Sequence, residues 1–452
     1  MTPIYKIGRA TLSRLRTKFV RDVGTLTLAR FAGAALSLIQ GIVVARWLGP
    51  EQYGVAALVM TYPAVLFSFL DAKSGAASIK YISEFEVQGN TLMSLAMCKL
   101  GYIVDLTIAV ITLGLVAATA WWAEEHIVRF PGVIGLMIMY ATAFIPWALA
   151  GTSKSVLSVL GRFHVIAWSG FVSTLVRVAV VITLVLAGWG ASGLVWGNIV
   201  GLVLNGAIPT IFVFFAVKES WGDSWLSASI RDLESRRQDI IRFILFTDLA
   251  EFLGALSKKL DIAVLGFFTG PQEVGYFRLA KSLTSNIGLF SRQLQTVAYP
   301  RLSRLAVSQT KQTVDDLARK FAFAVGLPMG VAVLITILAI PWVLPILVSD
   351  SFESAVVLTQ ILLVRASLVL ALFWIRPLFY ARGQVKTWAA IVGVFGVLTF
   401  IGYLIITPIW GATGMAGWRS IADIALLLIA LAWVLSNPVS KPLSDSLEGQ
   451  KK

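Results

Sequence analysis

Long, predominantly apolar blocks recur along this chain and are separated by short polar turns. A helix needs about 20 mostly apolar residues to cross a bilayer. Twelve blocks meet that length, at 25–47, 54–72, 93–122, 133–151, 166–187, 193–217, 240–266, 275–298, 321–348, 355–380, 387–408 and 412–435. The first, second, seventh and eighth carry charges that weaken them by hydropathy alone. A repeat in the sequence supplies the missing support.

Gly49-Pro50-Glu51-Gln52-Tyr53-Gly54 is echoed by Gly270-Pro271-Gln272-Glu273-Val274-Gly275-Tyr276, and Trp189-Gly190-Ala191-Ser192-Gly193 by Trp410-Gly411-Ala412-Thr413-Gly414. Both pairs are separated by 221 residues, 49 to 270 and 189 to 410. Two unrelated phrases at one offset indicate a duplicated half. Spans 1 and 7 both run into a Gly-Pro turn, and spans 2 and 8 both leave one. Duplicated polytopic membrane proteins are most often transporters, with the site between the halves.

Loop charge sets the orientation, because cytoplasmic loops are enriched in Lys and Arg. The odd-to-even connections hold Glu51, Glu124, Glu125, Glu273, Asp350 and Glu353, with Arg129 as the clear basic exception. The even-to-odd connections hold Lys80, Lys154, Arg162, Lys218, Arg231, Arg236, Arg237, Arg301, Arg304, Lys311, Arg319, Lys320, Arg382 and Lys386. Both termini are therefore expected in the cytoplasm. The predicted fold is an all-α polytopic membrane protein of about twelve transmembrane helices. Six spans per half place the two six-helix bundles about a pseudo-two-fold axis along the membrane normal. The expected organisation is a basic N-terminal arm (1–24), a first bundle (25–217), a cytoplasmic interfacial linker (218–239), a second bundle (240–436) and a cytoplasmic tail (437–452). In the linker, Trp221, Trp225, Leu226, Ile230 and Leu233 lie near one helix face, opposite Arg231, Glu234 and Arg237.

Composition narrows the class. Charged residues make up 14% and hydrophobic residues 57% of the chain, with mean hydropathy +0.81. Soluble domains carry about 25% charged residues, so no attached soluble catalytic domain is expected. Lys6, Arg9, Arg14, Arg16, Lys18 and Arg21 are spread over an amphipathic stretch, unlike a cleavable signal, and suit anionic headgroups. The single Cys98 excludes an internal disulfide, and His126 and His164 lack metal-ligand spacing. No metal or other cofactor is expected. The net charge of +14 follows the loops, which argues against a nucleic-acid partner.

Charged groups inside spans are costly and mark functional sites by default. Arg30, Arg177, Arg278, Arg292 and Arg365 lie deep in their spans and are candidates to line a central cavity, with structural ion pairing as the alternative. Asp248, Glu251 and Lys258 share a face of span 7 at helical spacing. Lys73, Lys99, Arg376 and Arg419 lie near span ends, where snorkelling to headgroups competes with cavity exposure. Among the adjacent Lys258, Lys259 and Asp261, at least one is expected to be a structural pair partner. A cleft richer in Arg and Lys than in acids suits an anionic substrate, since guanidinium groups grip phosphate oxygens through forked hydrogen bonds. Asp248 and Glu251 either take a coupling proton or cation or pair with neighbouring arginines.

Ala45-Arg46-Trp47-Leu48-Gly49-Pro50-Glu51-Gln52-Tyr53-Gly54 resembles the first turn of polysaccharide-biosynthesis flippases of the multidrug/oligosaccharidyl-lipid/polysaccharide exporter superfamily. Asp261, Leu265-Gly266, Gly270, Val274-Gly275-Tyr276, Ala280 and Tyr299-Pro300-Arg301-Leu302-Ser303 resemble that family's second-half signature. The resemblance implies a two-bundle transporter with a cationic cavity. Its expected cargo is a polyprenyl-pyrophosphate-linked oligosaccharide, carried from the cytoplasmic to the outer leaflet of the inner membrane for O-antigen or exopolysaccharide assembly. Family members carry cavity cations in spans 1, 7 and 8, roles that Arg30, Lys258, Arg278 and Arg292 would fill. Membrane lipids, H+ or Na+, and glycan polymerase or assembly proteins are the implied partners. A drug/cation antiporter of the same superfamily would want an acidic cavity. A lipid II flippase would usually carry two further C-terminal spans. A membrane-embedded glycan polymerase or ligase would want a sizeable outer loop, and the longest here holds only Glu124, Glu125, His126 and Arg129. An enzyme is not expected.

Overall fold

The computed structural model describes residues 9–71, 74–222, 225–244, 259–308, 323 and 326–436. They form α-helices joined by short turns, with no strand among the described residues. Eight helical stretches are long and apolar enough to cross a membrane. Two of these, Thr27–Leu70 and Val385–Val434, run to 44 and 50 residues, far beyond the roughly 20 that one crossing needs. Each breaks at a glycine of the repeat. Gly49 sits at φ 70°, ψ 172° and Gly411 at φ 56°, ψ −144°. The protein is thus a multi-pass, all-α membrane protein.

Gly270 takes the same kind of conformation as Gly49, at φ 115°, ψ 178°. This is backbone space that is essentially closed to side-chain-bearing residues. The following proline, with its fixed φ, starts the next helix where no intrahelical N–H bond is due. The repeated Gly-Pro phrase therefore breaks one helix and starts another in both halves. Gly190, partner of Gly411 in the second phrase, also has positive φ.

Two compact units emerge, neither contiguous in sequence. The first comprises residues 1–40, 62–124 and 131–250. It holds the first part of α1 (Arg9–Leu70), then α2 (Ser74–Val87), α3 (Thr91–Ala123), α4 (Ile134–Thr142), α5 (Phe144–Val159), α6 (Phe163–Leu186) and α7 (Gly190–Trp221). Helix α7 packs on α5 and α6, while α2, α3 and α5 pack on one another. Gly206 of α7 touches α5 so closely that a Cβ there would stand 1.8 Å from the Pro146 carbonyl oxygen. Tyr81, Phe85, Met97, Cys98, Leu157 and Val217 anchor this unit's core.

The linker docks onto that core. Leu233, in the 3₁₀ turn Ile230–Arg236, is buried with Ala228 and Ile240, and Trp221 and Trp225 pack beside them. Lys99 Nζ donates to the carbonyls of Leu226 (2.8 Å) and Ala228 (2.9 Å), so it holds the linker instead of reaching headgroups. Leu226 itself remains exposed. Arg236 pairs with Glu84 at 2.9 Å and lies over the Tyr81 ring.

The second unit comprises residues 41–61, 125–130 and 251–452. It contains the Gly49 turn together with α8 (Asp261–Phe268), α9 (Pro271–Ser285), α10 (Ile287–Ser308), α11 (Leu327–Leu347), α12 (Ser354–Ala371), α13 (Ile375–Ala381) and α14 (Val385–Ser436). The two copies of the repeated phrase meet inside it. A Cβ on Gly54 would stand 1.7 Å from the Pro271 carbonyl oxygen, and one on Gly275 would stand 2.0 Å from that of Pro50. Leu334, Ile335, Leu338, Trp342 and Ile346 are exposed along α11. Their helical spacing makes a stripe suited to acyl chains.

Candidate functional site

In the first unit, polar side chains from four helices converge within apolar surroundings. Arg30, Gly33 and Ser37 share a face of α1 by their spacing of three and four residues. Asn198, Gly201 and Asn205 do the same on α7. Arg177 of α6 donates through Nη2 to Ser37 Oγ at 2.7 Å and through Nη1 to Asn198 Oδ1 at 3.5 Å. Gly201 makes room for it, since a Cβ there would stand 2.6 Å from Arg177 Cδ. Lys154 of α5 donates to Asn205 Oδ1 at 2.7 Å. Arg30 is exposed, and its charge repels that of Lys154.

The acceptors described for Arg177 and Lys154 are thus a serine hydroxyl and two carboxamides. Neutral acceptors orient a cation without cancelling its charge. Charge-assisted bonds from such groups to a phosphate oxygen are roughly twice as strong as neutral ones.

The second unit treats its cations differently. Asp261, at the start of α8 and 1% exposed, accepts from Lys281 Nζ of α9 at 2.6 and 2.8 Å and from Arg419 Nη1 of α14 at 2.5 Å. Arg365 of α12 pairs with Asp423 of α14. Arg278 lies over the Tyr53 ring, 5.1 Å from its centroid. Arg292 Nε reaches only the Gly288 carbonyl of its own helix, at 3.4 Å. A cavity of about 230 Å³ is lined by Gln295, Arg365, Arg376, Trp388, Thr399 and Asp423. A second one adjoins it through Arg365, with Lys281, Ser291 and Arg419 on its wall.

The structure thus places Arg30 and Arg177 in the first unit and Arg278, Arg292 and Arg365 in the second. Lys258, Asp248 and Glu251 lie outside the described residues, as does Lys73. Arg365, expected as a cavity cation, does line a cavity but is ion-paired. Arg419, for which the sequence leaves headgroup snorkelling and cavity exposure both open, is buried against Asp261 and also lines the second cavity, because a buried carboxylate needs compensating charge.

Lys154 is the member that loop-charge reasoning misplaced. It reads as a loop cation, yet α5 runs through it to Val159. Pro146 falls in that helix's first turn, where proline is tolerated, and so does not end the span. The signal that points to Lys154 is the Asn198–Gly201–Asn205 spacing, two carboxamides on one face of an apolar helix.

Residues 19–306 match the family described as polysaccharide biosynthesis protein. The chain is 24% identical over 295 residues to the probable low-salt glycan biosynthesis flippase Agl15 of Haloferax volcanii; the match covers 65% of this chain and 57% of that relative. The fold is similar to that of a multidrug resistance MATE family transporter of the MOP superfamily in an inward-facing conformation, with TM-score 0.70 and 14% identity over 90% of this chain and 97% of the other. It is equally similar to the lipid II flippase MurJ in an inward closed conformation, with TM-score 0.70 and 16% identity over 93% of this chain and 89% of the other. The matched segment contains both Gly-Pro turns and the Tyr299-Pro300-Arg301-Leu302-Ser303 run on which the resemblance was drawn, and the chain belongs to the polysaccharide biosynthesis protein family.

Proposed function

We propose that this protein is a flippase that carries a polyprenyl-pyrophosphate-linked oligosaccharide from the cytoplasmic to the outer leaflet of the inner membrane, for assembly of a surface polysaccharide. The carrying observation is the first unit's grouping of Arg30, Lys154 and Arg177, in which Lys154 bonds Asn205 and Arg177 bonds Ser37 and Asn198. A pyrophosphate offers oxygens that such cations grip through charge-assisted hydrogen bonds. No bond is made or broken. The protein supplies a polar path for the glycan and its anion, while the polyprenyl tail stays in lipid. The sequence halves 25–217 and 240–436, joined by 218–239, act as the two bundles of an alternating-access cycle, with both termini in the cytoplasm. Agl15's name as a glycan biosynthesis flippase supports this reading.

Flipping is measured in proteoliposomes loaded with a polyprenyl-pyrophosphate oligosaccharide. Lys154→Ala and Arg177→Ala are each expected to slow translocation about tenfold or more, since a hydrogen bond to a charged group contributes about 1.5–3 kcal/mol. Arg278→Ala and Arg292→Ala test whether the second unit's cations share the task. The reading fails if no glycolipid moves while the same vesicles export a cationic dye down an imposed gradient, which would make the protein an antiporter.

A further inference from the structure

One carboxylate of the first unit has no part in that anion path. Asp105 of α3 is 5% exposed, and among the described residues no cation pairs with it. Ser74 Oγ of α2 bonds Oδ1, and the Thr152 amide of α5 donates to Oδ2 at 3.4 Å. Two further hydroxyls stand at the same three-helix contact. Ser78 Oγ and Thr152 Oγ1, both on fully buried residues, have no geometrically formed hydrogen bond among the described residues, and the Thr152 side chain lies close enough to favour the charged form of Asp105. Both crowd Gly101, one turn before Asp105 on α3, where a Cβ would stand 2.6 Å from Thr152 Oγ1 and 3.0 Å from Ser78 Oγ. A Cβ on Gly151 of α5 would stand 3.9 Å from both Asp105 Oδ2 and Ser74 Oγ.

An ionised carboxylate buried without a counter-charge costs several kcal/mol or more. The side chains around this one are hydroxyls, which can donate to a carboxylate and accept from a carboxylic acid. The cluster is therefore satisfied in either protonation state, as a fixed Lys or Arg partner would not allow. A proton needs no space, whereas a sodium ion needs a cage of oxygens, and here a backbone N–H points at the carboxylate.

Asp71, half-buried just past the end of α1, repels an ionised Asp105. Cys98, Lys99 and Tyr102 are the other titratable groups on this stretch of α3; Lys99 is held by the Leu226 and Ala228 carbonyls and Tyr102 is engaged with Ser153 at 2.9 Å. On α5, Lys154 is turned to Asn205. On α2, Lys80 lies over Tyr81 and Phe243.

We propose that Asp105, with Ser74, Ser78 and Thr152, is a proton-binding site of the first unit. Its use in driving transport rests on the flippase reading; its occupancy by a proton does not.

Infrared difference spectra of the full chain in lipid nanodiscs test occupancy. A protonated-carboxyl stretch is expected near neutral pH in the wild type, lost in Asp105→Asn and kept in Asp71→Asn. Ser74→Ala, which leaves the acid in place, shifts the band. A spectrum in which Asp105→Asn removes no such band overturns the site, as does displacement of the band by sodium chloride at fixed pH. In proteoliposomes, an imposed pH gradient is expected to accelerate glycolipid flipping in the wild type and not in Asp105→Asn. Equal acceleration in both would end the coupling role. If nothing is flipped at all, the transport reading falls and the infrared result still decides the site.

Discussion

At the scale of single residues, one buried carboxylate gathers two cations of the second unit, while neutral groups receive bonds from two cations of the first. Asp261 holds Lys281 and Arg419 in one buried triad, while Lys154 and Arg177 lean on amides and a hydroxyl. Removing the shared anion strands two cations, and breaking a buried pair in this way costs about 3–5 kcal/mol. Asp261→Ala should therefore lower the melting midpoint in detergent sharply, and a triple replacement of Asp261, Lys281 and Arg419 by apolar residues should recover much of the loss. If the single variant melts like the wild type, the triad is not structural. Arg177→Lys makes the complementary point. It keeps the charge and the fold but gives up the planar fork that reaches Ser37 and Asn198 together. Translocation should drop severalfold with little change in melting. Little of this pairing was legible in the sequence. The identities and spans of Arg365, Arg419 and Asp423 could be read, but which way each points depends on helix rotation, and helices that are apolar on every side give no pattern to fix it.

At the scale of elements, backbone requirements were readable where side-chain partners were not. The Gly-Pro phrase specifies a break and a restart, because the glycine's conformation excludes other residues and the proline's ring sets the next φ. Gly49 and Gly54 separate two reasons for a glycine. Gly49→Ala meets no neighbour within 4 Å but is held at φ 70°, a strain of about 1–3 kcal/mol. Gly54→Ala has an ordinary backbone and instead drives a methyl into the Pro271 carbonyl, so two helices must separate. Overpacking of this kind costs about 1–3 kcal/mol, and it should also loosen α9 as read by amide hydrogen exchange, which the Gly49 variant should not. The linker shows the reverse failure of sequence reading. Of the apolar face expected there, Trp221, Trp225 and Leu233 pack into the core while Leu226 and Ile230 are exposed, because the segment is a helix end, a turn and a short 3₁₀ turn and not one helix. Leu233 and Trp225 go to the α2–α3 core, and Leu233→Ala should cost about 2–5 kcal/mol as a buried truncation.

At the scale of the whole molecule, hydropathy fixed the class and the repeat fixed the connectivity. Hydropathy alone passes over α9 and α10, because Arg278, Lys281 and Arg292 lower their average. Those charges are tolerated since tyrosine, aspartate and backbone carbonyl partners receive them. The same economy explains why the family is recognisable from turns and packing glycines while the cargo is not. Turns are dictated by backbone geometry common to all members, whereas the polar cluster uses ordinary Asn, Ser and Lys residues whose meaning appears only when four helices bring them together.

The contact between the two Gly-Pro turns is isologous: Gly54 meets the Pro271 carbonyl and Gly275 meets that of Pro50, the same two positions seen from either side. A half-length chain with one copy of the phrase would thus carry a self-complementary surface and could pair with its twin through it. In the joined chain the flanking residues are free to differ, as Gln52-Tyr53 and Glu273-Val274 do, but neither glycine can change alone without prying open the seam that both share.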